Sequence, residues 1–192
     1  LFAGGADPFN GGTVGSYVQR YAPGYDLPHV YVSPRTDGFN RNAILSRYPF
    51  ADLNDDGLAT MFDFGGSGLD YYPGGGGRIR GFTTAEIDLP DATYAGDVFV
   101  GNSHLKSGGD SSDEQERLLA AQSIAFFVDY YLNGAGTGTA NPEGNLIVPG
   151  SDGSAVVLPC DTAVVWGGDL NEDENFNGRK GPAQWMAQAR FL

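Results

Sequence analysis

A chain of 192 residues suits one domain, and a domain of that size buries roughly 70% of its unfolded surface, enough for a hydrophobic core without staples. Its single cysteine, Cys160, excludes an intrachain disulfide. Eleven basic against 24 acidic residues leave a net charge of −13, which offers no basic footprint for a nucleic-acid backbone. Such acidity fits a soluble chain in saline or extracellular surroundings, or one partly neutralised by divalent cations. No apolar run approaches the roughly 20 residues of a membrane helix, and no basic-then-apolar signal segment opens the chain.

In chain order, Val14, Tyr17, Val18 and Tyr21 recur at spacings of three and four behind a Thr13 cap, predicting a short helix over 13–22. HVYVSP reads as a strand, and NAILSRYPF as another that stops at Pro49. Residues 65–81 carry glycine at eight positions, too many for a regular element, and read as a surface loop. GFTTAEIDLP alternates Phe82, Thr84, Glu86 and Asp88 with Thr83, Ala85, Ile87 and Leu89, the pattern of a half-buried strand. DVFVGNSHLKS is a strand with His104 near its end. A helix follows, with Ser111 and Ser112 as caps, Asp113, Glu114 and Glu116 in its first turn, and Asn133-Gly134 as its stop. Its stripe of Leu118, Ala121, Ala125, Val128 and Leu132 is expected to face the core.

Residues 133–154 are rich in Gly, Asn, Pro and Ser and read as an inserted loop. TAVVW, Thr162 to Trp166, is expected to be a short buried strand running into GGDLN. Gly181-Pro182 opens a final helix with Trp185, Met186 and Ala189 on one side. Strands and helices in this order predict a layered α/β architecture in one domain.

Candidate chemistry gathers at strand ends. Asp169 and Asn171, two apart, point the same way in an extended chain and could hold a water or a metal-bound phosphate oxygen; the alternative is an Asx turn leaving a strand. A calcium loop counted from Asp169 fails, because positions six and twelve are Glu174 and Lys180. ADLNDDGLATMFD fits better, with Asp52, Asn54 and Asp56 at positions one, three and five, Gly57 at six and Asp63 at twelve. An acidic turn remains its alternative. His104 and Lys106 leave one face of a strand, where two cationic donors could neutralise phosphate charge. Arg47 could contact an anion or pair with an acid of the scaffold, and His29 reads as structural. Neither Ser103 nor Ser107 lies in a GxSxG elbow, and Cys160 reads as a buried or turn thiol, so a serine or cysteine hydrolase is disfavoured.

Together NRNAILSRYPF, VGNSHLKSG and VVWGGDLN resemble three ordered blocks of the endonuclease/exonuclease/phosphatase superfamily, and Arg117 in ERLLAAQ fits the helix that follows its His block. The resemblance covers about residues 24–192. It implies a four-layer α/β (α+β) sandwich, two packed mixed β-sheets flanked by helices, and magnesium- or manganese-assisted hydrolysis of a phosphate ester. Under it, Asp169 would orient or deprotonate the attacking water, Asn171 would hold phosphate or metal, and His104 would stabilise phosphoryl charge. Lys106 and Arg47 are the candidate substrate contacts. The substrate class is left open among nucleic acid, phospholipid and small phosphoesters, and no protein partner is inferred. The superfamily's upstream metal-binding Glu and downstream Asp-His pair have no counterparts, since no Glu precedes Glu86 and no His follows Asn171. The chain is therefore expected to be a piece of a longer enzyme, cut at both ends and nearly inactive alone, or a degenerate member. The rival from another class is a non-catalytic, calcium-stabilised binding or scaffold module built on the 52–63 loop.

Overall fold

The computed structural model describes residues 24–33, 41–53, 55, 57–64, 82–118, 120, 121, 124, 158 and 162–172. The expected helices over 13–22 and after Pro182, the glycine-rich loop, the 133–154 insertion and Cys160 lie outside the described residues. Six strands are described: β1 (His29–Val32), β2 (Ala43–Ser46), β3 (Met61–Phe64), β4 (Phe82–Ile87), β5 (Val98–His104) and β6 (Ala163–Asp169). Helix α1 lies between β5 and β6 and includes residues 111–118, 120, 121 and 124.

Two sheets result. β1 and β2 form an antiparallel pair, while β3-β4-β5-β6 form a mixed sheet in which only β5 and β6 run parallel. β2 packs across β4 and β5, so the small sheet lies on one face of the larger one. With α1, this is the α+β arrangement of packed mixed sheets that the sequence predicts. Among the described residues no helix is long and apolar enough to cross a membrane.

The alternation along β5 follows the two-residue period of a strand: Phe99, Gly101 and Ser103 are buried, and the residues between them half-buried. On the buried face, Phe82 and Trp166 meet edge to face at 6.1 Å. Gly101 makes room for them, since a Cβ there would come within 2.5 Å of the Phe82 ring.

The other face meets the small sheet through a reciprocal amide contact. Asn42 Nδ2 donates to Asn102 O at 3.3 Å, and Asn102 Nδ2 donates to Ala43 O at 3.1 Å. At the opposite end, Phe50 bridges Ile87, Ala51 N donates to Glu86 O and Asp88 N to Pro49 O. β2 therefore starts beside the end of β5 and leads away toward its beginning.

Several expectations are corrected. β3 was concealed in an acidic stretch that reads as a turn or calcium loop. β4 is buried on both faces from Phe82 to Glu86, not half-buried, because the small sheet covers the side that alternation assigns to solvent. β6 is not a buried strand: Ala163 and Val165 are exposed, and it reaches three residues further, to Asp169. The helix starts differently as well. Asp110 O accepts Glu114 N, and the Asp113 carboxylate reaches back to Asp110 N at 3.3 Å, so Asp110 and Asp113 make the cap. Among the described residues of α1, Arg117, Ala120, Ala121 and Ile124 are buried and Leu118 is half-buried; Ala121 belongs to the expected stripe, while Ala125, Val128 and Leu132 lie outside the described residues.

Glu86 is the energetic cost of covering β4. At 3% exposure, with Asp97 and Asp88 nearby, burial and then carboxylate repulsion push it from its ordinary value of 4.5 to about 7. Since the folded value lies above the unfolded one, the folded chain holds a proton that the unfolded chain has released between about pH 4.5 and 7. Stability should therefore fall as pH rises through that window, then level off. Glu86→Gln should remove this component, roughly 1–2 kcal/mol after solvent screening. Urea midpoints at pH 5 and pH 8 check it: the wild-type drop should shrink in the variant.

Candidate active site at the ends of β5 and β6

Because β5 and β6 are parallel and in register, their C-terminal residues coincide: His104 stands opposite Asp169. Residues paired in this way share a sheet face. His104 Nε2 lies 3.3 Å from Asp169 Oδ2, with side-chain exposures of 25% and 60%. The pair is accessible, and the carboxylate can orient the imidazole.

Beyond the strands the chain folds back. Leu105 N donates to Asp169 O, extending the ladder one step. Asn171 adopts φ 50° and its backbone N donates to Asp169 Oδ1 at 2.9 Å, an Asx turn. Its side-chain Nδ2 donates to Leu105 O at 2.8 Å. The two side chains are thus not parallel projections of an extended strand, because the turn intervenes. Asp169 is held by Asn171 on one oxygen and faces His104 with the other.

Support comes from behind. Trp166 Nε1 donates to the buried Ser103 Oγ at 2.8 Å, fixing the residue before His104. That hydroxyl accepts the indole N–H. Gly168 has φ 140°, and a Cβ there would overlap the Ser103 carbonyl oxygen. The close approach of the strands at the site thus depends on the missing side chain.

Gly168, Asp169, Leu170, Asn171 and Glu172 line an open depression of about 440 Å³. Glu172 escaped sequence reasoning; the only signal was its place in the acidic EDEN run. Among the described residues no group of three or more His, Cys, Asp or Glu is placed to hold a metal ion. Magnesium asks for less, since it keeps several waters and binds through one or two carboxylates plus substrate phosphate. The exposed Asp169 carboxylate fits that role. At Asn171 the Oδ1 end suits a cation, the Nδ2 end being turned to Leu105.

The other expected residues are placed differently. Lys106 Nζ sits 2.7 Å from Asp113 Oδ1 and 2.6 Å from Ser107 O, so its ammonium is engaged at the start of α1. Asp113 is correspondingly held below its ordinary value, chiefly by that hydrogen bond. The structure does not bring Arg47 to the site: it is exposed just after β2, at the other end of a β5 that spans roughly 20 Å. Beside it, the Tyr48 hydroxyl lies 3.4 Å from that of Tyr94, which raises the Tyr48 pKa. His29 packs edge to face on Phe50 at 6.4 Å, consistent with a structural role.

In the 52–63 loop, Asp52 Oδ2 accepts Gly57 N at 2.7 Å and Gly57 has φ 84°. Asn54 and Asp56 lie outside the described residues. Asp63 belongs to β3, its backbone paired with Thr83, so the chain leaves this loop as a strand.

No family model and no curated protein sequence matches the chain. Among solved structures, it is similar to an endonuclease/exonuclease/phosphatase from Beutenbergia cavernae, with 20% identity, a TM-score of 0.49 and coverage of 69% of this chain and 34% of that one. It is also similar to a β-hairpin deletion mutant of beta toxin from Staphylococcus aureus, with 18% identity, a TM-score of 0.42 and coverage of 83% and 48%. The chain thus spans about a third to a half of the structures it matches.

The two glycines before Asp169 give a sharp test of this geometry. Gly168→Ala places a side chain against backbone at a left-handed φ and should cost about 2–4 kcal/mol. Gly167→Ala meets nothing within 4 Å and should stay within about 0.5 kcal/mol. Denaturant unfolding of both variants checks the contrast, and equal losses would contradict it.

Proposed function

We propose that the chain carries the catalytic face of a divalent-metal-dependent phosphoesterase. The observation that carries this reading is the His104–Asp169 pair, braced by Asn171 above an open depression where two parallel strands end. The three residues are those to which the motif resemblance assigns the chemistry.

Asp169 orients the attacking water and accepts its proton, using the oxygen exposed beside His104. His104, with Nε2 toward Asp169, presents Nδ1 to the substrate; when protonated, it donates there to a phosphoryl oxygen and offsets developing charge. Asn171 holds the Asp169 carboxylate and contributes Oδ1. Asp169 and Asn171 would hold magnesium or manganese, which when bound supplies charge neutralisation at the phosphate. A net charge of −13 repels phosphate esters and disfavours duplex DNA most. Phospholipid headgroups, nucleotides and other small phosphoesters fit better.

The test combines binding with turnover. Manganese should broaden the amide resonances of residues 168–172 and the His104 ring before others, and Asp169→Ala should abolish that selectivity. Whatever manganese-dependent cleavage of bis(p-nitrophenyl) phosphate the chain retains should fall to background in Asp169→Ala and in His104→Ala. Broadening confined to other segments, or turnover indifferent to both substitutions, would exclude the reading.

A calcium-stabilised scaffold is the second reading, favoured by the Asp52–Gly57 turn. It expects a calcium-specific rise in thermal midpoint that Asp52→Ala removes, about 2.7 kcal/mol at a hundredfold excess over Kd. No midpoint change on chelation would rule it out.

A further inference from the structure

Arg117 is wholly buried on α1, yet the described contacts of its guanidinium include two neutral carbonyls, Lys106 O at 2.9 Å and Gly108 O at 2.8 Å, both from Nη1. A buried cation is costly to desolvate, and an apolar residue at this helical position would pack at less cost. What a guanidinium adds is a rigid set of donors that can fix two carbonyls at once. The segment so fixed leaves β5 directly after His104. Gly108 has φ 119°, and a Cβ there would overlap the Asp113 carboxylate, so the loop lies close against α1. The same Asp113 takes the Lys106 ammonium and lies near enough to Arg117 for the cation to help hold its carboxyl down.

The fixed segment is also the one that Asn171 grips. Leu105, next to Lys106, donates its N–H to Asp169 O and accepts Asn171 Nδ2. A continuous set of contacts therefore runs from Arg117 through the carbonyls of Lys106 and Gly108 to Leu105, and from there to Asn171 and Asp169. We propose that Arg117 is a positioning residue of the site, holding the β5–α1 loop so that Leu105 anchors Asn171 by its side chain and thereby places the Asn171 backbone N–H that holds the Asp169 carboxylate. The role rests on the site reading above but concerns geometry that exists whether or not the site turns over. It separates two roles along α1: the Asp110–Asp113 cap starts the helix, whereas Arg117, in its second turn, ties the helix to the site.

Arg117→Lys keeps the charge and loses the fork; Arg117→Gln keeps a neutral donor. In folded variants, shown by an unchanged two-state unfolding transition, the Asn171 side-chain amide protons should exchange at least tenfold faster and their resonances move. If manganese-dependent turnover is present, kcat should fall at least tenfold with KM nearly constant. A lowered midpoint with Asn171 exchange unchanged would reduce Arg117 to a structural residue and overturn the proposal. Absent turnover with altered Asn171 exchange would count against the phosphoesterase reading and not against the positioning role. Should neither variant fold, the unmodified chain still decides. The Arg117 Nη and Asn171 Nδ2 protons should share one denaturant dependence of exchange, and distinct slopes would overturn the coupling.

Discussion

The in-register parallel pairing of β5 with β6 is the constraint on which the rest of the site depends. Only in a parallel pair do both strands deliver their C-terminal residues, and the loops that follow them, to the same end. His104 and Asp169 meet because seven consecutive residue pairs, from Val98 with Ala163 onward, keep one register. A slip of one residue would send Asp169 to the opposite face, where Phe82 and Trp166 pack. Gly168 secures the approach of the strands, the Asx turn stops β6, and Asn171 returns to Leu105 to close the arrangement.

The two ends of the sandwich are built differently. At the site end, polar contacts join the sheets, with Asn42 and Asn102 reaching across one layer below His104. At the other end, burial and two neighbouring carboxylates keep Glu86 protonated well above its ordinary range. That crowding is a local expression of the net charge of −13. The same charge bears on function, since an anionic ester approaching this surface meets repulsion unless a cation intervenes. Among the described lysines and arginines, Lys106 is engaged by Asp113, Arg117 is buried, Arg41 donates to Ser33 O, and Arg47 stands at the far end. A divalent ion at Asp169 would resolve that conflict.

Strands whose side chains alternate or whose boundaries carry turn residues were legible in the sequence: β1, β2, β4 and β5 lie within the expected segments, and β6 begins in its own but runs three residues past it. β3 was not, because Met61–Phe64 follows an acidic, glycine-containing turn and has too few residues for a period to stand out. Burial was less legible than strand position. Neither the covering of β4 on both faces nor the exposure of β6 is encoded in its own residues, since both depend on where the two-stranded sheet comes to rest. Likewise the place of Arg117 on the helix after the His block was legible, but its complete burial was not. At the site, Asp169 and His104 were recognisable from their blocks, but their pairing required the strand register. The Asx turn stood as an alternative to a phosphate-holding pair; in the structure the turn is formed and holds the Asp169 carboxylate.

The central claim, that the Asp169 carboxylate orients the His104 ring, is directly measurable because the chain has only two histidines. Nitrogen NMR of the imidazoles in the wild type and in Asp169→Asn isolates the contact without relying on turnover. The His104 Nε2 resonance should move on substitution while both His29 nitrogens stay in place. A His104 spectrum unchanged by Asp169→Asn would contradict the pairing from which the site is built.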